Sequence, residues 1–372
     1  MASARKLHHI EGEFLMQNGS IKDPVIAYET WGNLNFLKDN AVLLFTGLSP
    51  SAHAASSTLD QSNGWWEQML GKGKPIDTDT YFVICINSLG SCFGSTGPAS
   101  VNPATGNQYG IDFPVVTIED IAASGQAVVE ALCVEHLYAV IGASMGAMTA
   151  LAHTVLYPNV AKGLVSISGN ARSEPFSIAM RSLQRQIIRS DPEWKNGSYE
   201  SSPVIGMRLA RKLGMLSYRS SAEFKQRFGR ERVPEERQTG DSFDIDFEVE
   251  SYLDAHAKKF TGNFDANCYL YLSRAMDLFD IADHGGSVEK ALSKVGAQRV
   301  MVIGVETDLL FPIHQQEELV DGLTSSGREV KFHRLNSLQG HDAFLVDMDQ
   351  FRPLICDFFN CSMNQPGQLR SI

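Results

Sequence analysis

Ser144 stands in the run Gly142-Ala143-Ser144-Met145-Gly146, a pattern that can present a serine hydroxyl for attack on an acyl carbon. That hydroxyl is a weak nucleophile near neutrality, so the chemistry also needs a base and a third group to orient the base. Two later segments offer them in order, Glu306-Thr307-Asp308 and then Gly340-His341-Asp342. His341 is the expected base, because no other histidine lies in a turn just beyond the last strand-like run. Asp308 is preferred to Glu306 as the orienting acid. His53, His153 and His314 read as surface or packing residues. The oxyanion that forms on attack needs two backbone N–H groups. One is expected from Met145, directly after the nucleophile. The other is expected from the Phe45-Thr46-Gly47-Leu48 loop, with Phe45 as the named donor.

These residues need a scaffold that brings distant turns together. Strand-like runs appear at Pro24–Thr30, Ala41–Thr46, Tyr81–Asn87, Leu137–Ala143, Gly163–Ser168, Arg299–Val305 and Val330–Leu335. Helical patterns alternate with them at Ile118–Leu132, Met145–Leu156, His314–Leu323 and Ala343–Phe358. The alternation predicts a mostly parallel sheet with helices on both faces. Continuous apolar strands such as Val42-Leu43-Leu44-Phe45 fit a sheet buried on both sides. The serine string is short enough to arise by chance, and its setting is what gives it weight. A buried strand leads in and an apolar helix leads out, the strand-to-helix turn of a nucleophile elbow in an α/β-hydrolase fold. Between Arg172 and about Val295 the sheet pattern gives way to helix-period segments, including Phe247–Phe260 and Tyr269–Phe279, with a charged loop from Gly229 to Asp246. The predicted organisation is therefore a core of residues 1–171 and 296–372 with a helical lid of residues 172–295.

The chain has 372 residues and a formal net charge of -11. That balance argues against nucleic acid or an anionic membrane as the main partner, though a local basic site could still exist. Cys85, Cys92, Cys133, Cys268, Cys356 and Cys361 form no C-x-x-C pair and no zinc-like spacing. They are expected to be reduced thiols in a cytoplasmic protein, with no metal bound. Met1 to Gly19 has no apolar core of signal-peptide length, so the Asn-x-Ser sequons at Asn18, Asn196 and Asn360 carry no weight. Leu137 to Tyr157 lacks formal charge, yet it reads as strand, turn and helix rather than a membrane span.

Several ordered segments resemble the homoserine O-acetyltransferase family over nearly the whole chain. They include Gly64-Trp65-Trp66, Gly94-Ser95-Thr96-Gly97-Pro98, Asn102-Pro103-Ala104-Thr105-Gly106, Phe264-Asp265-Ala266-Asn267, Asp308-Leu309-Leu310-Phe311-Pro312 and Gly340-His341-Asp342-Ala343-Phe344. The segment Leu44 to His53 looks more like the serine O-acyltransferase branch, as do Met180–Arg185 and Asn267–Leu272. The resemblance implies a two-step acyl transfer from an acyl-CoA co-substrate to L-serine or L-homoserine, in cysteine or methionine biosynthesis, by a homodimer without a bound cofactor. It implies that Arg211 and Asp342 contact the amino-acid substrate, one cation and one anion for its two charged groups. Read from its residues alone, Arg211 would be a solvated lid charge. The resemblance also points to Arg181 as the acyl-donor determinant, since acetyl-using relatives carry an uncharged side chain there and succinyl ends in a carboxylate. Bulk in Leu48–His53 is expected to shorten the pocket toward serine. An esterase of the same fold is the alternative.

Overall fold

The structure, a computed structural model, describes residues 4–238 and 240–360. In chain order its strands are β1 (Lys6–His9), β2 (Glu13–Met16), β3 (Gly19–Lys22), β4 (Val25–Trp31), β5 (Ala41–Phe45), β6 (Phe82–Ile86), β7 (Leu137–Ala143), β8 (Gly163–Ile167), β9 (Arg299–Val305) and β10 (Glu329–Leu335). Eight of them form one sheet in the order β1-β4-β6-β5-β7-β8-β9-β10, and β2 pairs only with β3. The β1–β4 and β4–β6 pairs are antiparallel; every other pair in the large sheet is parallel. Every residue of β5 and β8 is buried, as a sheet covered on both faces requires. Side chains alternate between the faces. Leu43 and Phe45 join the core formed with Ile121, Val128 and Met148, while Val42 and Leu44 join Trp66, Phe351 and Ile355 on the other side.

The helices are α1 (Ile118–Ala131), α2 (Met145–Leu156), α3 (Pro175–Ser190), α4 (Val204–Tyr218), α5 (Ser221–Phe228), α6 (Glu248–Phe260), α7 (Ala266–Leu278), α8 (Val288–Leu292), α9 (Ile313–Ser325), α10 (Ala343–Val346) and α11 (Met348–Phe358). A capping box starts α1: Thr117 Oγ1 accepts from the Asp120 N–H at 3.2 Å and the Asp120 carboxylate accepts from the Thr117 N–H at 2.8 Å. All of α3 to α8 fall between β8 and β9 in the chain. Strand β5 has β6 on one side and β7 on the other, so the chain order reverses there. The carboxyl ends of these strands therefore flank a crevice where ligands bind in open α/β sheets.

Three expectations need correction. Short β1, β2 and β3 precede the first strand expected from sequence. The Ala343–Phe358 helix is two helices, because Asp347 leaves helical geometry (φ -101°, ψ 59°) and its carboxylate accepts from Ser337 Oγ at 2.6 Å. Cys356 is engaged in a disulfide, so the thiols are not all reduced. Cys85, Cys92, Cys133 and Cys268 are free, and Cys361 lies outside the described residues. Among the described residues, no helix is long and apolar enough to cross a membrane.

Candidate active site

Strand β7 delivers Ser144 to the crevice and α2 begins at the next residue. The serine backbone lies at φ 57°, ψ -125°, a conformation that costs roughly 1–3 kcal/mol for a non-glycine residue and persists only where its surroundings impose it. Here they do. A Cβ on Gly142 would come within 2.0 Å of the Gly146 carbonyl oxygen, and one on Gly146 within 2.3 Å of the Phe45 carbonyl oxygen. Only glycine fits at either place. The Ser144 N–H donates to the Ile167 carbonyl at 3.0 Å, which ties the elbow to β8.

His341 comes from the turn after β10. Its Nε2 lies 2.7 Å from Ser144 Oγ and its Nδ1 lies 2.7 Å from Asp308 Oδ2. The ring stacks on Phe311 at 4.9 Å between centroids, nearly parallel, and meets Phe344 edge-on at 5.9 Å. Burial pushes the imidazole down. The carboxylates of Asp308 and Asp342 outweigh that effect and hold it above its ordinary value. Asp308 is buried after β9, and its other oxygen accepts from the N–H groups of Leu310 and Phe311, each at 2.9 Å. Glu306 points elsewhere, paired with Arg334 at 2.8 Å. The geometry therefore joins Ser144, His341 and Asp308 in one hydrogen-bonded chain and leaves Glu306 out.

Met145 is the first residue of α2, so its N–H is among those with no partner inside the helix. Phe45, expected as the second donor, is the last residue of β5, in register with Ile86 and Gly142 on either side. Its main chain lies beside the elbow, with its carbonyl oxygen against Gly146, and its buried ring meets His153. The residues that follow it, Gly47, Leu48, Ser49 and Pro50, line the cavity wall. His153 is packed as expected, with Nε2 2.9 Å from Gln126 Oε1 and its imidazole pushed down to about 3 by burial. His53 bridges Glu29 and the Ser62 carbonyl, and His314 faces Glu174 near the surface.

A cavity of about 150 Å³ opens in front of Ser144, and Arg181, Arg211 and Asp342 all line it. Arg211, on α4, lays its guanidinium over the rings of Phe260 at 4.4 Å and Tyr218 at 5.4 Å, while its buried Nε has no hydrogen-bond partner. Asp342 lies 3.4 Å from Arg219 Nε. Burial raises its carboxyl above the usual range, and the nearby Arg219, His341 and Arg211 oppose that. Arg181 is buried on α3. Its Nε donates to Asp277 Oδ1 at 2.6 Å and its NH2 to Ser173 Oγ at 2.7 Å. Arg185 meets the other Asp277 oxygen at 2.6 Å, so two arginines share one carboxylate and the trio keeps a net positive charge. Sequence reading missed Asp277, Arg219 and the buried, hydrogen-bonded tyrosines Tyr218 and Tyr269. The one signal for Asp277 is an acid set in an apolar helical run, Met276-Asp277-Leu278-Phe279. Among the described residues, no cluster of His, Cys, Asp or Glu has the arrangement to hold a metal ion.

The family model for the alpha/beta hydrolase fold matches residues 40–347. The chain belongs to that family. A serine O-succinyltransferase of Litchfieldella anticariensis is 53% identical to it, over 96% of this chain and 99% of the relative. The solved homoserine O-acetyltransferase of Bacillus anthracis superposes with a TM-score of 0.88 at 29% identity, covering 97% of this chain and 98% of that one. A solved esterase superposes with a TM-score of 0.87 at 31% identity, covering 96% of this chain and all of its own. With these relatives the chain is an O-acyltransferase enzyme of the alpha/beta hydrolase fold. The resemblance drawn from the motifs of the chain led to the same family.

Proposed function

We propose that this acyltransferase moves a succinyl group from succinyl-CoA to the hydroxyl of L-serine through an acyl-Ser144 intermediate. The observation that carries the reading is the charge inventory of the cavity. Two cationic centres, Arg211 and the Arg181–Asp277–Arg185 trio, and one anion, Asp342, stand around Ser144. The substrate pair carries a succinyl carboxylate, an amino-acid carboxylate and an ammonium group; each carboxylate has a cationic centre to meet, and the ammonium has Asp342, which Arg219 also faces at 3.4 Å. An acetyl donor would leave one cationic centre without a partner. The 53% identical relative, named serine O-succinyltransferase, supports both the donor and the acceptor.

In the first step His341 Nε2 takes the Ser144 proton as Oγ forms a bond to the thioester carbon. The oxyanion meets the Met145 N–H and a second N–H from the loop that begins at Phe45. The C–S bond then breaks, and His341 returns the proton to the departing CoA thiolate. In the second step the hydroxyl of the L-serine substrate gives its proton to His341 and attacks the acyl carbon; the bond to Ser144 Oγ then breaks and His341 returns the proton to that oxygen. Asp308 fixes the imidazole tautomer throughout. The cycle is ping-pong, succinyl-CoA is consumed as a co-substrate and CoA is released, and no metal or bound cofactor enters it. The O-succinyl ester is an activated serine side chain, fitted to displacement by a sulfur nucleophile in cysteine biosynthesis. The working form is a cytoplasmic homodimer.

A water-accepting esterase is the second reading, favoured by the esterase that superposes so closely. Free-thiol release decides between them. With succinyl-CoA alone, the transferase gives one rapid equivalent of thiol per Ser144 and then stalls until L-serine is added. Continuous release without an amino acid would establish the esterase. Equal concentrations of L-serine and L-homoserine in competition test the acceptor, and a preference for homoserine would overturn the serine assignment. Leu48 and Pro50 on the cavity wall support the shorter acceptor; one methylene is worth about 1–3 kcal/mol of discrimination.

A further inference from the structure

The cavity over Ser144 holds about 150 Å³, room for small reacting groups but not for a CoA thioester. While the thioester carbon meets Ser144, the pantetheine arm and the phosphates must extend outside. A second groove shares Ser49 and Arg211 with the cavity and so continues it to the surface. Its apolar side is a chain of rings, Phe93 against Phe264 at 5.6 Å and Phe264 stacked on Phe260 at 5.6 Å. Its polar side carries the exposed His256 and Lys259, one α-helical turn apart on α6.

The charge of this groove sets it apart. Among the described residues no carboxylate lines it, although the chain carries a net charge of -11. Another concavity is lined by Glu289, Glu317, Glu318 and Asp321. On α6 itself, Lys258 is paired with Asp254 at 2.8 Å, and Asp254 also takes Lys212 from α4 at 3.0 Å. Lys259, the next residue, has no ion pair or side-chain hydrogen bond among the described residues. Burial and the surrounding Arg211, Arg227, Arg219 and Lys259 push the His256 imidazole below its ordinary value, which marks the positive potential at this mouth. An acidic protein that leaves a lysine unpaired in an acid-free groove beside its reaction centre has a local field suited to an extended polyanion.

We propose that this groove seats the CoA portion of the donor, with Lys259 and His256 on its phosphates and Phe93, Phe260 and Phe264 along its pantetheine arm. Arg211 stands at the junction and keeps the acceptor carboxylate on the cavity side. The inference rests on the acyl-CoA reading above and adds to it the residues that recognise the leaving group.

The test compares two donors that share one thioester, succinyl-CoA and S-succinylpantetheine, the second without phosphates. Lys259→Ala should raise KM for succinyl-CoA about tenfold, as for one charge-assisted contact, and leave kcat unchanged. Lys259→Glu should lower kcat/KM further, and Lys259→Arg should restore it. All three variants should match the wild type with S-succinylpantetheine and in KM for L-serine. Added salt should weaken succinyl-CoA binding in the wild type and much less in Lys259→Ala. Equal losses with both donors, or no loss with succinyl-CoA, would overturn the groove assignment while leaving the transfer reaction standing. A wild-type enzyme that releases thiol from neither donor overturns the acyl-transfer reading instead.

Discussion

On the floor of the cavity, Ser144, Asp308 and His341 rise from turns after β7, β9 and β10, and main-chain atoms fix the first two. On the facing wall, Arg181, Arg211 and Tyr269 reach in from helices of the inserted segment, held by other side chains. Ser144 is clamped by glycines and a strand hydrogen bond; Asp308 is clamped by two N–H groups. Arg181 is braced by Asp277 and Ser173, and Arg211 by rings alone. The contrast separates two kinds of specification. Acyl chemistry depends on backbone positions that any member of the fold can reproduce. Substrate choice depends on long side chains whose replacement leaves those positions undisturbed.

The contrast predicts a graded set of losses. Ser144→Ala should abolish acylation, read as loss of the thiol burst, while the melting temperature stays within about 2 °C because the glycine clamp is untouched. Retained burst would place the nucleophile elsewhere and remove the floor from the comparison.

Asp308→Asn should lower kcat by about 10⁴-fold by favouring the wrong imidazole tautomer, and Glu306→Gln should leave it near wild type. The same pair has a pH signature. His341 must be neutral to act as base, and its imidazole is held above the ordinary 6.5 mainly by Asp308 against burial. The rate should therefore rise with pH through a value above 6.5, and the limb should move to lower pH in Asp308→Asn. A limb that stays in place would mean that another group controls the titration.

Arg181→Ala addresses the wall. It should cut kcat/KM for succinyl-CoA about ten- to a hundredfold and leave acetyl-CoA nearly unchanged. Equal losses with both donors would show that Arg181 serves as a brace between α3 and α7, and the wall would lose its recognition role. The smallest effect is expected where floor and wall meet. Ser220 caps α5 through the Glu223 N–H at 3.0 Å and donates to the Leu338 carbonyl at 2.5 Å, three residues before His341. Ser220→Ala should cost about 1 kcal/mol of stability, read by denaturant titration. A large fall in kcat at unchanged stability would mean that the cap also aims His341.

Floor and wall also differ in how far sequence could reveal them. The run into Gly142–Gly146 announces itself, because a charge-free strand and helix meeting at a serine between glycines leave little other reading. Asp308 and His341 follow from chain order, one after the apolar β9 and the other after the alternating β10. Strands β1 to β3 escaped notice since each is four residues long, mostly exposed and without apolar alternation. Asp277 showed only as an acid in an apolar run, with nothing to say what it pairs with. Its partners Arg181 and Arg185 lie far away in the chain, and only the packing of α3 on α7 brings the charges together.

The glycine clamp at the elbow has a consequence for descent. Any coding change at Gly142 or Gly146 places a side chain against main-chain atoms of Gly146 or Phe45, atoms that cannot swing aside as a side-chain tip can. A variant of this kind must shift the main chain that holds Ser144, so the elbow tolerates change less than the side chains around it. A lineage that changes donor or acceptor must therefore do so through the helices between β8 and β9 and the loop after β5. New activities on this scaffold should accumulate their substitutions in those segments, at a distance from the atom that performs the reaction.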